Sequence, residues 1–252
     1  MLVIGLTGGI ATGKSTVSNI LSGAPYNLPI IDADKIAREV VDPGTPGYNK
    51  IVHTFGPLIP DLLLPAATGT PLRDLNRAAL GKYIFGNDDA RKALNAIVHP
   101  AVRRAIFKRV VYNWLVTRSS AIILDVPLLF EARLDIFCGT TIVVAASRDV
   151  QCARILRRDA AVVLSDSDAY KRIDSQMAID DKVALADYVI WNNEDDGVDA
   201  LARRVKAVVE GEKIVPSLWW TVVDLIPPVG FVFALVAVAK RYLTRRKHKK
   251  LT

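Results

Sequence analysis

The sequence predicts an α/β fold in which a parallel sheet is flanked by helices. Along the 252 residues, short apolar segments typical of strands alternate with segments whose apolar residues recur every three or four positions. The first apolar segment runs into a glycine-rich turn and then into a helical pattern. Hydrophobic residues make up 51% of the chain and charged residues 23%, a composition that folds around a core. Strands that alternate with helices are typical of a parallel sheet covered on both faces.

The individual elements follow from the apolar segments and the turn signals between them. Buried strands are predicted at residues 2–6, 28–31, 121–124, 140–145 and 188–190. Helices are predicted at about residues 14–21, 35–41, 74–86, 88–118, 150–158, 168–177 and 182–186. The turn signal Asp42-Pro43-Gly44 ends the second helix, and the prolines, glycine and threonines of residues 61–71 predict a loop.

Charge and cysteine usage exclude two classes of protein. The formal net charge is +7, but seven basic residues lie between Lys240 and Lys250 with no acidic residue among them. The rest of the chain has equal numbers of basic and acidic residues, which argues against a globular nucleic-acid-binding face. Cys138 and Cys152 are too few for a disulfide framework and lack the spacing of a zinc site, so we expect a reducing compartment. The first residues lack the pattern of a signal peptide, and we expect a cytosolic start.

The C-terminal segment differs from the rest of the chain. Across residues 218–239 the only charge is Asp224, with two tryptophans near the start and basic residues after the end. Such flanks are typical of a bilayer interface. A Pro-Pro pair at 227–228 interrupts the segment, and its uninterrupted part is shorter than the roughly 20 residues of a spanning helix. We expect either a membrane anchor, as a kinked span or an in-plane helix, or an apolar helix packed on the domain.

Residues 8–15 carry the motif on which the function depends. Gly-Gly-Ile-Ala-Thr-Gly-Lys-Ser matches G-x-x-x-x-G-K-[ST] at every fixed position, with a strand before it and a helix after it. In such a loop, backbone N–H groups bind an anion, the lysine reaches the β- and γ-phosphates, and the serine hydroxyl is a ligand of Mg²⁺. An ordinary glycine turn is the alternative. We therefore predict a P-loop NTPase with Mg²⁺ at Ser15. The predicted ATP-binding residues of this loop are Gly8, Gly9, Ile10, Ala11, Thr12, Gly13, Lys14, Ser15 and Thr16.

Motifs beyond this loop resemble those of one kinase family. Thr-Gly-Gly-Ile at 7–10 is followed by Asp-Ala-Asp at 32–34, Val-Pro-Leu-Leu-Phe-Glu at 126–131, Arg-Arg-Asp at 157–159 and Ala-Asp-Tyr-Val-Ile at 186–190. In this order, over about residues 1–210, the chain resembles the dephospho-coenzyme A kinases. The resemblance implies transfer of the γ-phosphate of ATP, with Mg²⁺, to the ribose 3′-hydroxyl of dephospho-coenzyme A, the last step of coenzyme A synthesis.

The resemblance also implies a kinase of three parts, with a nucleotide core, a helical substrate domain and a lid. The implied bounds are a kinase domain at 1–213, with a core at about 1–60 and 120–210, a helical insertion at about 61–119, and a lid at about 153–181. The apolar segment and basic tail then occupy 214–252. Residues 61–71 depart from the Asp-Gly-containing hairpin that is usual in the family.

Two residues receive catalytic roles from the resemblance, and Lys14 receives its role from the phosphate loop. Asp34 is the implied base that deprotonates the acceptor hydroxyl, with helix capping as the alternative, and Asp32 is expected to be structural. Arg154 is the implied lid arginine that contacts phosphate, with a solvated helix face as the alternative. Lys14 completes this set. The further lid candidates are Arg157, Arg158, Arg172 and Gln176, of which Arg158 is assigned to ATP.

The remaining candidates concern the metal, the adenine and the acceptor. Asp125 follows an apolar strand and is a candidate for holding Mg²⁺ through water, although many buried strands end in aspartate. Asn192, followed by Asn193, stands where the adenine loop of the family would be, with ordinary turn asparagines as the alternative. The candidates for contacts with the acceptor's phosphates are Arg38, His99 and Arg103, besides Asp34.

The apolar tail resembles one that eukaryotic members of the family append. It implies the cytosolic face of the mitochondrial outer membrane or of the endoplasmic reticulum, with the cytoplasm as the alternative. The expected partners are ATP, dephospho-coenzyme A, this membrane and other enzymes of coenzyme A synthesis, and not nucleic acid. Two other functions stay open at this point: another nucleoside or small-metabolite kinase, and a membrane-anchored scaffold of coenzyme A enzymes.

Overall fold

A computed structural model describes residues 1–65, 72–159, 165–194 and 197–211, together with residues 214, 236 and 239. Its sheet has the strand order β2-β3-β1-β4-β5. The strands are β1 (Leu2–Gly8), β2 (Ile30–Asp32), β3 (Ala121–Asp125), β4 (Thr140–Ala145) and β5 (Tyr188–Trp191). β1 pairs in parallel with β3 and β4, and β4 pairs in parallel with β5. The predicted parallel α/β sheet is confirmed.

Helices fill the connections between these strands. Those before β3 are α1 (Lys14–Ser22), α2 (Ala33–Glu39), α3 (Pro46–Phe55), α4 (Arg77–Ile84) and α5 (Asp88–Leu115). Those after β4 are α6 (Arg148–Arg158), α7 (Asp166–Asp174), α8 (Ile179–Leu185) and α9 (Val198–Gly211). By its internal contacts the chain divides into two compact units, one formed by residues 1–31 and 110–252 and the other by residues 32–109.

The first unit is built around the buried strands β1, β3 and β4. Every residue of β3 and β4 is buried, because their apolar side chains are covered on both faces of the sheet. One face packs against α1 and α9, with Val17, Leu21 and Val205 almost fully buried. The β1–β3 register places Leu6 beside Asp125. Asp125 therefore ends its strand close to the point where the chain leaves β1.

A network of hydrogen bonds between the exposed Asp187 and the buried Thr140 and Thr141 fixes the start of β5. One carboxylate oxygen of Asp187 accepts hydrogen bonds from the backbone N–H of Thr141 (2.7 Å), from its hydroxyl (2.9 Å) and from that of Thr140 (3.3 Å). The Asp187 N–H in turn donates to the Thr141 hydroxyl at 3.1 Å. These bonds explain the aspartate of the Ala-Asp-Tyr-Val-Ile motif in structural terms, because Asp187 sets the register between β4 and β5.

The second unit, residues 32–109, has its own core of apolar side chains from α3, α4 and α5. Ile51 and Phe55 are almost fully buried there, and the Phe55 ring meets Tyr83 edge-on. An antiparallel bridge joins Leu63 to Leu75, and Asn76 then caps α4 by accepting from the Ala79 N–H at 3.1 Å. Residues 66–71 of the predicted loop lie outside the described residues. The expected bounds of the substrate insertion, about 61–119, stay a prediction.

Sequence reasoning missed two helices. α3 begins at Pro46 with Thr45 as its cap, and proline at the first helical position is itself a start signal. α9 follows Gly197, which has a positive φ of 88°, and buries one face that includes Leu201 and Val205. α4 starts at Arg77, three residues later than predicted, because Asn76 supplies the cap.

The predicted C-terminal apolar helix lies outside the described residues, apart from residues 214, 236 and 239. Within the part of the chain that the structure describes, no helix is both long and apolar enough to cross a membrane.

Candidate active site

The loop between β1 and α1 has the backbone shape of an anion-binding loop. β1 ends at Gly8 and α1 begins at Lys14, and the turn between them uses left-handed backbone at Ala11 (φ 58°) and Gly13 (φ 92°). The Thr12 hydroxyl donates to the Gly9 carbonyl at 2.9 Å, which fixes the turn from inside. Backbone N–H groups in such a turn, together with the N-terminus of α1, attract a phosphate group.

Close neighbours explain why the loop is rich in glycine. A Cβ atom at Gly8 would lie 2.6 Å from the Val144 carbonyl oxygen, and one at Gly13 would lie 2.5 Å from Nδ2 of Asn192. Neither distance leaves room for a side chain. Both contacts come from the carboxyl ends of neighbouring strands, so the sheet edge holds the loop in place.

Lys14 and Asp125 form an ion pair beside this loop. The Lys14 ammonium donates to the Asp125 carboxylate, and the two side chains are 16% and 8% exposed. The parallel register of β1 and β3 brings the pair together although the residues are 111 positions apart. The arrangement fixes a positive charge next to the anion-binding backbone.

Oxygen ligands for a magnesium ion are present in the same place. Ser15 stands exposed in the first turn of α1, and the Asp125 carboxylate lies at the end of β3. Mg²⁺ takes oxygen ligands and keeps several waters, so one hydroxyl and one carboxylate suit it when phosphates supply the remainder. Among the described residues there is no group of three or more His, Cys, Asp or Glu side chains that could hold a metal without the nucleotide. The Ser15 hydroxyl and the Asp125 carboxylate are oxygen ligands of the kind that suits Mg²⁺.

Asn192 connects the phosphate loop to the end of β5. Its side-chain amide donates to the Thr12 carbonyl at 2.9 Å, and its backbone N–H donates to the Ala145 carbonyl at 2.8 Å. Its own carbonyl accepts from Arg154 Nη1 at 2.9 Å. Asn192 is buried, so these contacts give it a structural role. Its predicted contact with ATP stays a prediction.

The arginines predicted for the lid lie on α6 and α7. Arg154 donates to the carbonyls of Asn192 and Glu194, which brings this helix to the loop after β5. Arg158 and Arg172 both bind the Asp159 carboxylate, at 2.9 and 2.6 Å. Hydrogen bonding from Arg158, with further contributions from Arg172, holds the pKa of Asp159 below its ordinary value. The three arginines thus have fixed partners on one side of the fold.

Apolar packing seats α6 and α7 on the phosphate loop. Ile155 and Ala169 are fully buried between the two helices, and Ile10 and Ala11 from the loop pack against this cluster. The buried Gln151 side chain also reaches the loop: a Cβ at Gly9 would lie 2.8 Å from its Oε1 atom. Sequence reasoning missed Gln151, although its place on the same helix as Arg154, three residues earlier, was a usable signal.

The acceptor candidates all lie in the second unit. Asp32 is the cap of α2, since its side chain accepts from the N–H groups of Asp34 (2.8 Å) and Lys35 (3.0 Å). Asp34 is exposed in the first turn of this helix, and the capping role considered for it belongs to Asp32.

Arg38, His99 and Arg103 are exposed side chains of the same unit. Arg38 lies on α2, and its carbonyl accepts from Arg77 Nη2 at 3.3 Å. His99 and Arg103 are four residues apart on α5, so they share one side of that helix. The structure thus brings two of the three substrate candidates together on one helical face.

A phosphate loop after the central strand of a parallel sheet, with a lysine–aspartate pair beside it, is typical of the P-loop NTPases. Members of this class bind a nucleoside triphosphate and move its terminal phosphoryl group. The sequence model described as dephospho-CoA kinase matches residues 2–196. The chain belongs to the dephospho-CoA kinase family and is an enzyme.

Individual relatives agree with this assignment. The chain is 45% identical over 250 residues to the dephospho-CoA kinase CAB5 of Saccharomyces cerevisiae, covering 99% of this chain and 98% of that protein. It is 45% identical over 194 residues to a dephospho-CoA kinase of Oceanobacillus iheyensis, covering 77% of this chain and 89% of the relative. The solved structure of the dephospho-CoA kinase from Campylobacter jejuni matches with a TM-score of 0.62 at 27% identity, over 84% of this chain and 96% of that one.

Proposed function

We propose that this protein transfers the γ-phosphoryl group of ATP to the ribose 3′-hydroxyl of dephospho-coenzyme A, which gives coenzyme A. The observation that carries the proposal is the phosphate loop with its Lys14–Asp125 pair, in a chain of the dephospho-CoA kinase family. The reaction forms a bond between the acceptor oxygen and the γ-phosphorus and breaks the bond to ADP. The acceptor's proton must leave at the same time.

Electrostatic stabilisation is the main contribution of the loop and the lid. Negative charge spreads over the phosphoryl oxygens during transfer, and fixed positive groups stabilise it. Lys14 lies next to the loop, and Arg154 and Arg158 lie on the helix that packs against it. When ATP binds, Arg154 then exchanges its backbone carbonyl partners for phosphate oxygens. Arg158 likewise exchanges the Asp159 carboxylate for phosphate oxygens.

Ser15 and Asp125 are the residues that we assign to Mg²⁺, the hydroxyl directly and the carboxylate through water. When bound, the ion would neutralise part of the negative charge of the triphosphate. Lys14 and Asp125 neutralise each other's charge beside the loop.

Asp34 is the proposed general base. A ribose hydroxyl is a poor nucleophile, so a carboxylate that accepts its proton assists the transfer. The support is the Asp-Ala-Asp motif together with the capping role of Asp32, which leaves the first-turn position of Asp34 without a capping explanation.

Asp34→Asn tests this assignment against Asp32→Asn as the matched control. We expect Asp34→Asn to keep the Tm and the affinity for ATP and to lower kcat by about 100-fold or more. Asp32→Asn, which replaces one capping side chain with another, is expected to change kcat far less. Turnover by Asp34→Asn near that of the native enzyme would remove Asp34 as the base.

Arg38, His99 and Arg103 are proposed to bind the anionic groups of dephospho-coenzyme A. Their exposure and positive or hydrogen-bonding character support this role. Arg103→Ala is expected to raise KM for the acceptor about tenfold and to leave KM for ATP unchanged. An equal rise in both constants would contradict a role limited to the acceptor.

A comparison of acceptors tests the activity itself. Purified protein with ATP and Mg²⁺ is given dephospho-coenzyme A, adenosine, gluconate or shikimate at equal concentrations, and ADP release is followed. We expect turnover with dephospho-coenzyme A to exceed the others by orders of magnitude. Preference for another acceptor would favour a different small-metabolite kinase, and no turnover with intact ATP binding would favour a scaffold.

Membrane association through residues 214–252 is a further part of the proposal. Its support is the apolar composition of the segment with its aromatic and basic flanks. We propose the cytosolic face of the mitochondrial outer membrane or the endoplasmic reticulum as its location, with the cytoplasm as the alternative, and other enzymes of coenzyme A synthesis as its partners. Cell fractionation of the full chain and of a form ending at Lys213 tests this. Recovery of the full chain in the soluble fraction would exclude the anchor, and activity of the short form would show that the tail does not build the active site.

A further inference from the structure

A lysine with no part in the proposed chemistry is completely buried in the first unit. Lys182, on α8, has a side chain that is 0% exposed. Its ammonium donates to the Pro127 carbonyl at 2.8 Å and lies 3.0 Å from the Glu131 carboxylate. Both partners belong to the Val-Pro-Leu-Leu-Phe-Glu segment, residues 126–131, for which the function has so far given no reason.

Two further hydrogen bonds end on the same partners. The Thr7 hydroxyl, fully buried near the end of β1, donates to the Pro127 carbonyl at 2.9 Å. The Met177 N–H, between α7 and α8, donates to the Glu131 carboxylate at 3.2 Å. We call these five residues the Lys182 network. Its members are Thr7, Pro127, Glu131, Met177 and Lys182.

Members of the network are close in the sequence to each part of the nucleotide site in the first unit. Thr7 immediately precedes Gly8 of the phosphate loop, and Pro127 lies two residues after Asp125, the partner of Lys14. Met177 and Lys182 lie at the end of the segment that carries the lid arginines. The buried Lys182 ammonium therefore connects the segment after β3 to α8, at the end of the predicted lid. The Pro127 carbonyl also accepts from Thr7, which connects the same segment to β1.

Packing makes α8 a firm support for this contact. Val183 and Leu185 of α8 pack against Phe130 and against buried residues of β4. Burying an ammonium group costs several kcal/mol, and an apolar pair of similar volume is often as stable. Stability alone therefore explains poorly why a lysine occupies this position. Its hydrogen bond to the Pro127 carbonyl explains it better, because that bond fixes the position of the carbonyl.

We propose that Lys182 is a positioning residue for phosphoryl transfer. Its bonds to Pro127 and Glu131 hold residues 125–131 against β1, so that Asp125 and Lys14 keep their place beside the phosphate loop, and they fix the end of the lid. The inference rests on the proposed function for its kinetic consequence. Its structural consequence, the ordering of residues 125–131, does not depend on the reaction.

The test separates positioning from stability with two variants. Lys182→Met alone leaves the Glu131 charge without its lysine, so we expect both a lower Tm and a lower kcat. Lys182→Met combined with Glu131→Gln removes both charges and keeps an acceptor for Met177. We expect the double variant to recover most of the Tm, while kcat stays about ten- to 100-fold below native and KM for ATP changes little.

Val205→Ala is the matched control for stability. It removes two methyl groups from the buried core on the face of the sheet that α9 covers, whereas the apolar residues of α8 belong to a separate cluster. We expect it to lower the Tm and to leave kcat unchanged. A double variant that recovers both Tm and kcat would overturn the positioning role.

Hydrogen exchange supplies the readout that does not need turnover. Peptides covering residues 125–131 are compared by mass spectrometry in the native protein and the double variant. Faster exchange confined to this segment and to the start of α8 supports the inference, and unchanged exchange overturns it. If the native protein transfers no phosphate but the exchange difference is found, the proposed function fails and the positioning of the segment stands.

Discussion

At the scale of single residues, the site depends on the absence of side chains as much as on their presence. Gly13 combines a φ of 92° with the closest approach in the loop, to Asn192. A larger residue meets both obstacles at once. Lys14 supplies the positive charge beside the loop. The side-chain amide of Asn192 donates a hydrogen bond to the Thr12 carbonyl and so fixes the loop.

Gly13→Ala is the substitution that tests this description of the loop. We expect it to lower the free energy of unfolding by about 1–3 kcal/mol, because the left-handed backbone is strained with a side chain. It is also expected to abolish measurable ATP binding, since Asn192 must move. Urea unfolding and a nucleotide titration measure the two effects. Gly81→Ala is the control: nothing lies within 4 Å of its Cβ position, and the helix is expected to gain about 0.5–1 kcal/mol. A Gly13→Ala variant with the native free energy of unfolding and native ATP binding would contradict the close packing of Gly13 against Asn192.

Asp159 gives a prediction on pH at the same scale. Its pKa is lowered, chiefly by the hydrogen bond from Arg158, so the ionised carboxylate is the form that the folded protein favours. The stabilisation is present above the ordinary aspartate pKa and is lost only as the pH falls through the lowered value. We expect the carbon NMR titration of the Asp159 carboxyl to have its midpoint below the ordinary pKa of an aspartate. Arg158→Gln should raise its pKa more than Arg172→Gln, and the reverse order would contradict the assignment.

At the scale of elements, the features that could be predicted from the sequence are those that depend on consecutive residues. The five strands and the phosphate loop were predicted, because each depends on a short run of residues with a clear pattern. The start of α3 was missed because prolines and glycines around residue 46 indicated a turn. Lys182 could not be predicted as a site residue, since its burial depends on Glu131 and Pro127, more than 50 positions away in the chain.

Asp187 tests whether one side chain sets the register of a whole strand. Asp187→Ala removes the acceptor from the buried N–H and hydroxyl of Thr141, which costs about 1–3 kcal/mol in the free energy of unfolding. Urea unfolding measures this cost. The exposed Asp61 is the control, where replacement by alanine is expected to stay within about 0.5 kcal/mol. Equal stabilities of the two variants would show that the Asp187 network does not hold β5.

At the scale of the whole molecule, predicting the function needed both the phosphate loop and the order of the other motifs along the chain. The phosphate loop alone indicated nucleotide binding, and only the order of motifs along residues 1–210 indicated the acceptor. The family match over residues 2–196 and the relative from Saccharomyces cerevisiae bear out that reading. The tail could not be understood in the same way, because its composition fits several arrangements and its residues lie largely outside those described.

The central claim is that the loop holds ATP so that its terminal phosphoryl group reaches one hydroxyl of the acceptor. Phosphorus NMR of the full chain with ATP, Mg²⁺ and dephospho-coenzyme A tests it most directly. We predict a new monoester signal of the 3′-phosphate that grows in equal amount with ADP, and its loss in Lys14→Met. Growth of free phosphate in place of the monoester, or an unchanged rate in Lys14→Met, would contradict the account.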